Sequence, residues 1–312
     1  MVCLYRDNAK MTQHVPVLRD DMVNAVMTDR DGAYLDATFG RGGHARALLR
    51  QLSPKASLVA LDRDPDAYQA AVDLSREDSR VQPMRGVFSE IRSLLSSNRC
   101  NRLSGLMMDI GVSSPQLDDP ARGFSFMRSG PLDMRMDPES GESAASWLNR
   151  VDLSDLVNVL RELGDEKNAR AIAMSILDKR PLYTTHELVT AVDSSRSRRD
   201  PRKHSATRVF QAVRMHINDE LSELNRGIEA GFHHLVDGGR IGVLTFHSIE
   251  HAIVRQKFRG LVRPVVPRRL PVRGTSLGRA KYVVKAKRPN PAEMNINPRS
   301  RSALLQVIER IE

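Results

Sequence analysis

From residue 33 to residue 111, short apolar runs alternate with helical stripes about every 25 residues, a rhythm that few folds accept. AYLDAT (33–38), SLVALD (57–62), RVQPMRG (80–86) and SGLMMDIG (104–111) read as strands. Between them, Ala45, Leu48, Leu49 and Leu52 share one helical face over 44–52, and Ala67, Ala70, Ala71 and Leu74 share another. Shorter helices are expected over 20–27 and 91–95. Such a succession demands parallel strands joined by right-handed crossovers, so the fold class is read as α/β, an open doubly wound sheet. Ligands of such sheets sit beyond the carboxyl ends of the strands.

The rhythm then breaks. The next buried strand, RIGVLTF (240–246), comes about 130 residues later, whereas a βαβ unit needs only about 30. The intervening chain reads as helical: Leu153, Leu156, Val157, Leu160 and Leu163 form one stripe ending at Gly164, and 169–177 repeats the pattern. Thr184 with Glu187 makes a capping box ahead of Leu188, Val189 and Val192. Long helices over 206–235, ending at Gly238 and Gly239, should return the chain to the sheet, whose last strand is SALLQVIERI. The reading divides the chain into a discontinuous sheet domain, 1–118 and 219–312, and a helical insert, 119–218.

The first strand runs into Gly40-Arg41-Gly42-Gly43-His44-Ala45, a loose G-x-G-x-x-(G/A) turn, with Asp62 placed 22 residues past Gly40 to hold a ribose. A dinucleotide is one candidate ligand. Asp36, Asp62 and Asp109 end three strands, however, and are expected to converge on one crevice. Asp36 and Asp109 would each oppose a pyrophosphate by about 3 kcal/mol at ~5 Å and an effective dielectric near 20, whereas Asp62 could take the ribose hydroxyls of either ligand. A sulfonium and an ammonium, as in S-adenosylmethionine, would be attracted by the same acids.

Charge points outward to a polyanion. The formal net charge is +10, and 14 Lys or Arg lie between Arg255 and Arg301 against Glu293 alone. Six more lie between Arg196 and Arg208 against Asp200. Cys3 and Cys100 make no disulfide framework and no metal-ligand spacing, no run is long enough to span a membrane, and the N-terminus lacks an apolar leader. A cytoplasmic protein without metal or membrane partner is expected, and a homodimer is compatible with the sequence.

Several segments together resemble one family: HVPVL (14–18), DATFGRGGHA (36–45), LDRDP (61–65), DIGVSSPQLDDPARGFSFMRSGPLDMRMD (109–137), TRVFQAVRMHINDEL (207–221), FHSIE (246–250) and NPRSRSALL (297–305). It is the ribosomal RNA small subunit methyltransferase H family. The resemblance implies a class I (Rossmann-like) methyltransferase sheet interrupted after its fourth strand by an all-helical domain expected to recognise RNA. It also implies methylation of the N4 amino group of a decoding-centre (P-site) cytidine in 16S rRNA of the small ribosomal subunit, with S-adenosyl-L-methionine as cofactor. Carried over by motif, the cofactor contacts are Gly42, Gly43, His44, Asp62, Phe88, Asp109 and Gln116. FHSIEHAIV departs from the family at Ile249, His251 and Ala252, where Leu, Asp and Arg are common.

In-line transfer needs nucleophile, methyl and sulfur held collinear with little water. Many amino methyltransferases carry (D/N/S)PP(Y/F) after strand four; here that position reads Asp109-Ile110-Gly111-Val112. Asp109 is the expected catalytic group, bordering cofactor and base, with His247 and Ser248 facing an RNA whose cytidine has been flipped out. A nicotinamide dehydrogenase and a noncatalytic RNA-binding assembly factor are the alternatives.

Overall fold

A computed structural model describes residues 16–98, 100, 102–195, 205–263 and 278–311. Helix α1 (Arg19–Val26) precedes β1 (Ala33–Asp36), α2 (Gly43–Leu49), β2 (Ser57–Asp62), α3 (Pro65–Glu77), β3 (Val81–Arg85), α4 (Ile91–Ser97) and β4 (Leu103–Asp109). After a short α5 (Ser114–Asp118) come α6 (Ala144–Arg150), α7 (Leu153–Glu162), α8 (Ala169–Asp178), α9 (Thr185–Ser194), α10 (Ser205–Ile217) and α11 (Glu220–His234). The chain closes with β5 (Leu235–Thr245), α12 (Ser248–Val262), β6 (Ala280–Lys287), α13 (Pro291–Ile296) and β7 (Leu304–Arg310).

The seven strands lie in the order β3-β2-β1-β4-β5-β7-β6, with β1 to β5 parallel and β7 antiparallel between β5 and β6. This is the α/β, doubly wound class I sheet, and its strand order reverses between β1 and β4, where a crevice opens at the strands' carboxyl ends. Central strands are apolar on both faces, as parallel strands covered by helices must be: Leu103 to Met108 are all buried in β4. One sheet face packs on α1, α2 and α3 through Met22, Leu48 and Leu74, and the other on α4, α11 and α12 through Ile91, Ile228 and Phe258.

The helical segment between β4 and β5 has a core of its own, drawn from Leu132 to Val213 and centred on Leu148, Leu160, Ile172 and Val209. Its helices begin where short polar side chains can satisfy free amides: Asp152 accepts from Asp155 N at 2.9 Å. The Thr184–Glu187 box closes in both directions, at 3.2 and 2.8 Å. Helix α11 belongs by packing to the sheet, since Leu224, Ile228 and Phe232 join the sheet's core.

Three expectations are corrected. Helix α2 stops at Leu49, although Leu52 is still buried. The long helices end at His234, and Gly238 and Gly239 fall within β5, where Gly238 takes φ +80° in an irregular stretch. Strand β6 is additional; it is an edge strand whose Lys281, Lys285 and Lys287 are exposed, a charge pattern that hides the period-2 signal and blunts edge pairing. Most of the first basic tract, Arg268, Arg269 and Arg273 of the second, and Cys3 lie outside the described residues. No described helix is long and apolar enough to cross a membrane.

Candidate active site

The glycine turn is held by its neighbours. Gly42 N donates to Phe39 O at 2.7 Å, and Gly42 sits at φ +74° with the Phe39 ring 2.7 Å from where a Cβ would stand. At Gly43 a Cβ would meet Pro16 Cγ at 2.1 Å, so the N-terminal Pro16–Leu18 segment lies directly on the turn. That segment is itself pinned, because Leu18 N donates to Glu293 Oε1 of α13 at 2.7 Å. Asp62 grips the turn from β2: Oδ2 accepts from Gly40 N at 2.8 Å and Oδ1 from Asp64 N at 3.0 Å. Burial, opposed by these backbone hydrogen bonds, pushes the Asp62 carboxyl up to about 6.

Asp36 does not rim the crevice with Asp62 and Asp109. Register explains why: Asp36 lies opposite Ala60 of β2 and Met107 of β4, two residues short of the two other acids. At about 3.3 Å per residue it is set some 6–7 Å deeper. There it is 1% exposed, Thr38 N donates to Oδ1 at 3.2 Å, and Oδ2 has no hydrogen-bond partner. Burial raises its carboxyl to about 6 despite the pull of His44. His44, 5% exposed in the first turn of α2, brings Nε2 to 3.4 Å from Asp109 Oδ2. Burial works against its protonation, but the close carboxylate of Asp109, with the charge of Asp36, outweighs it and raises the pKa. Asp109 keeps 28% of its side chain exposed, and its backbone N donates to Thr38 Oγ1 at 2.6 Å.

A cleft of about 1190 Å³ opens above these groups. Gly43, His44, Asp62, Phe88, Asp109 and Gln116 all line it; Gly42 does not. Phe88 is seated by α11, whose Gly227 has room for no Cβ closer than 2.7 Å to Phe88 Cβ. Gln116 is engaged within the protein: Oε1 accepts from Ser113 N at 2.8 Å and Nε2 donates to Asp64 Oδ2 at 2.7 Å. Arg122 completes this corner with Nη2 3.0 Å from Asp64 Oδ2.

The opposite wall comes from the helical segment, as expected of a cleft between sheet and insert, but its aromatic members were not legible in the sequence. Phe124, Phe126 and Phe210 face the cleft, the last two with ring centroids 5.2 Å apart, and Gln211 and Arg214 of α10 lie beside them. Arg214 makes a buried bidentate pair with Glu220, at 2.7 and 2.9 Å. His247 lines the cleft at the end of β5, whereas Ser248 is exposed in the first turn of α12 and is not part of the lining. His251 has a defined place in the same corner: its Nε2 lies 3.2 Å from Thr245 O. An ionised Asp at this position could not donate to that carbonyl. Arg41 and Arg299 stand at the rim.

Besides Asp62, two fully buried carboxylates with raised pKa values set a stability trend. The buried carboxyl of Glu250 is pushed up to about 7 by burial and that of Asp36 to about 6, both above the unfolded values near 4. A raised folded pKa contributes stability that is complete below the unfolded value and is lost as pH rises through the folded one. Lowering pH from 8 to 6.5 should therefore add ~1 kcal/mol of stability through these carboxyls, mainly Glu250, so the wild type should gain about 1–2 °C in melting temperature relative to Glu250→Gln. Calorimetry in which wild type and Glu250→Gln changed alike over this interval would contradict the burial of that charge.

Residues 11–311 match the model of the MraW methylase family. Ribosomal RNA small subunit methyltransferase H of Chromohalobacter salexigens is 46% identical over 312 residues, covering 98% of this chain and 94% of that protein. The protein of the same name from Burkholderia mallei is 44% identical over 308 residues, with 96% and 98% covered. Among solved structures, a putative rRNA methylase from Clostridium thermocellum aligns with 94% of this chain and 93% of its own, at 10% identity and a TM-score of 0.41. Glycine turn, helical segment and carboxyl-terminal strand are thus accounted for together: the chain belongs to the MraW methylase family.

Proposed function

We propose that this methylase uses S-adenosylmethionine to methylate the N4 amino group of a decoding-centre (P-site) cytidine in 16S rRNA, with the base flipped into the cleft. One observation carries the reading: a single cleft has an acid-lined strand-end wall and an aromatic wall from the helical segment. The residues present fit the cofactor. Its sulfonium and ammonium would meet Asp109, with the orphaned carboxylate oxygen of Asp36 beneath; its ribose hydroxyls would meet Asp62. Its carboxylate would lie toward the backbone amides of the glycine turn that opens α2. A pyrophosphate would instead be opposed by Asp109.

The cofactor supplies an electrophilic methyl group on sulfur. The chain's part is to bind, align and dehydrate. Phe124, Phe126 and Phe210 offer faces and edges on which a flipped pyrimidine can stack, with Gln211 beside them. Asp109, held from behind by His44, would accept a hydrogen bond from N4–H. That draws electron density onto the nitrogen as it attacks, and gives the surplus proton a destination once the N–C bond forms.

Mass-spectrometric mapping of small-subunit RNA from cells with and without the gene tests the reading. The expected result is loss of one N4-methyl mark on a decoding-centre cytidine; an unchanged map would refute it. The rim and tract arginines should give binding a steep salt dependence. Arg299 is a rim cation whose own ties are loose, 3.3 Å to Ser114 Oγ and 3.6 Å to Asp118 Oδ1. Arg299→Ala should reduce the slope of log affinity against log salt by about 0.7–0.9, one phosphate contact. An unaltered slope would take Arg299 out of the RNA path.

A further inference from the structure

Glu250 is 0% exposed, yet it is a carboxylate at the third position of α12. Its Oε2 accepts from Phe246 N at 2.8 Å and from His247 N at 3.1 Å, the two residues by which the end of β5 enters the cleft. Its other oxygen, Oε1, is buried without a hydrogen-bond partner. The same chain contains the ordinary form of this arrangement. Glu187, at the same position of α9, accepts from Tyr183 N at 2.7 Å and Thr184 N at 2.8 Å, is exposed, and has its pKa lowered by those backbone hydrogen bonds. Capping a helix therefore does not require burial of the carboxylate.

Burying one costs solvation that two backbone hydrogen bonds do not return, and it is retained here beside the cleft. The charges that act on it are Arg214 from α10, which favours the carboxylate, and Glu220 from α11, which opposes it; burial, reinforced by Glu220, outweighs the two backbone hydrogen bonds and Arg214 and raises the pKa to about 7. Arg214 spends its hydrogen bonds on Glu220, so its charge reaches Glu250 without capturing it. The turn carrying His247 is thus tied to the helical segment's wall through buried groups. His251 closes the same turn from the other side through Thr245 O.

Resting on the methyl-transfer reading above, we infer that Glu250 is a positioning residue: it fixes the Phe246–His247 backbone from behind and so sets where His247 stands against the target base.

The test compares E250D, E250A, E250Q, H247A and the double variant H247A/E250D. It measures methyl incorporation into small subunits at saturating RNA and cofactor, with the cofactor KM measured alongside. E250D keeps the buried charge but is one methylene too short to hold both amides, which makes it the decisive variant should E250A fail to fold. Expected are a loss of at least 10-fold in kcat for E250D with cofactor KM within two-fold of wild type, and recovery to within about three-fold in E250Q, which keeps an acceptor oxygen. H247A/E250D should be no slower than H247A. Wild-type turnover in E250D, or a loss that adds in full to that of H247A, overturns the inference. Incorporation is counted whichever nucleotide carries the methyl, so a different modified position would correct the N4 assignment and leave this comparison intact. The His247 ring resonances give a readout without turnover: they should move in E250D and stay in E250Q, and unmoved resonances in E250D would equally overturn the positioning role.

Discussion

Asp109→Asn should lower kcat by about 10²- to 10³-fold with RNA and cofactor saturating, the range that positioned proton acceptors supply. The substitution keeps the shape of the side chain and an acceptor oxygen, so the loss isolates the charge. On the proposed transfer to N4, the N–C bond would form as the S–C bond of the cofactor breaks, leaving a cationic nitrogen that must shed a proton; a carboxylate accepts it and an amide does not. His44 sharpens the effect. Its Nε2 stands 3.4 Å from Asp109 Oδ2, and its raised pKa rests on Asp109 as an anion. In the Asn variant that support is gone, so the His44 pKa should fall, which NMR titration can follow separately from turnover. Single-turnover methylation of small subunits is the measurement; a variant as fast as the parent would remove Asp109 from the chemistry, and only its contribution to the cofactor's surroundings would remain.

Much of this site was legible because strand ends are legible. Asp62 and Asp109 each follow an unbroken apolar run, so their places at the carboxyl edge could be read directly, as could the turn between β1 and α2. Asp36 follows such a run as well, and its depth could not be read. Depth depends on the pairing of Asp36 with Ala60 and Met107, and register is a property of neighbouring strands. The Thr184–Glu187 box was visible because Thr is a common cap; the equivalent hold by Glu250 was not, since the cap position there is His247. The aromatic wall had no linear signal at all. Phe126 and Phe210 are 84 positions apart and meet only because α10 folds back on the loop after α5. Strand β6 was hidden by its lysines.

These differences share a cause. Apolar periodicity reports which face of an element is buried, and it reported well for the core of the sheet and for the stripe on α7. The cleft is built from exceptions to that periodicity. Asp36, His44, Gln116, Arg214, Glu220 and Glu250 are polar residues under 9% exposed, and each is buried because another element covers it. The cost of burying them is borne at one place, the junction of strand ends and helical segment, where a cation-bearing ligand and a flipped base would need fixed charges with little water.

Asp62→Ala should weaken S-adenosylmethionine binding by about 10²-fold or more while leaving kcat at saturating cofactor within a few-fold. A carboxylate accepting two hydroxyl hydrogen bonds contributes about 1.5–3 kcal/mol for each, and 2.7 kcal/mol is already 10² in affinity. The two backbone hydrogen bonds from Gly40 and Asp64 leave lone pairs on both oxygens for a ribose. The variant also frees the Gly40 amide, so part of the loss reports the turn; Asp62→Asn, which can still accept from Gly40, should lie between alanine and wild type. Stability should move the other way from affinity. Burial raises the Asp62 carboxyl to about 6, so at pH 8 the folded protein carries an ion it would rather protonate, and Asp62→Asn, which drops the charge and keeps an acceptor for Gly40, relieves that cost. For the same reason, wild-type affinity should fall as pH drops through about 6, because the protonated acid presents one acceptor oxygen fewer. Calorimetric titration across pH 5 to 8 reads both effects, and a dissociation constant unchanged by the alanine substitution would place the ribose elsewhere in the cleft.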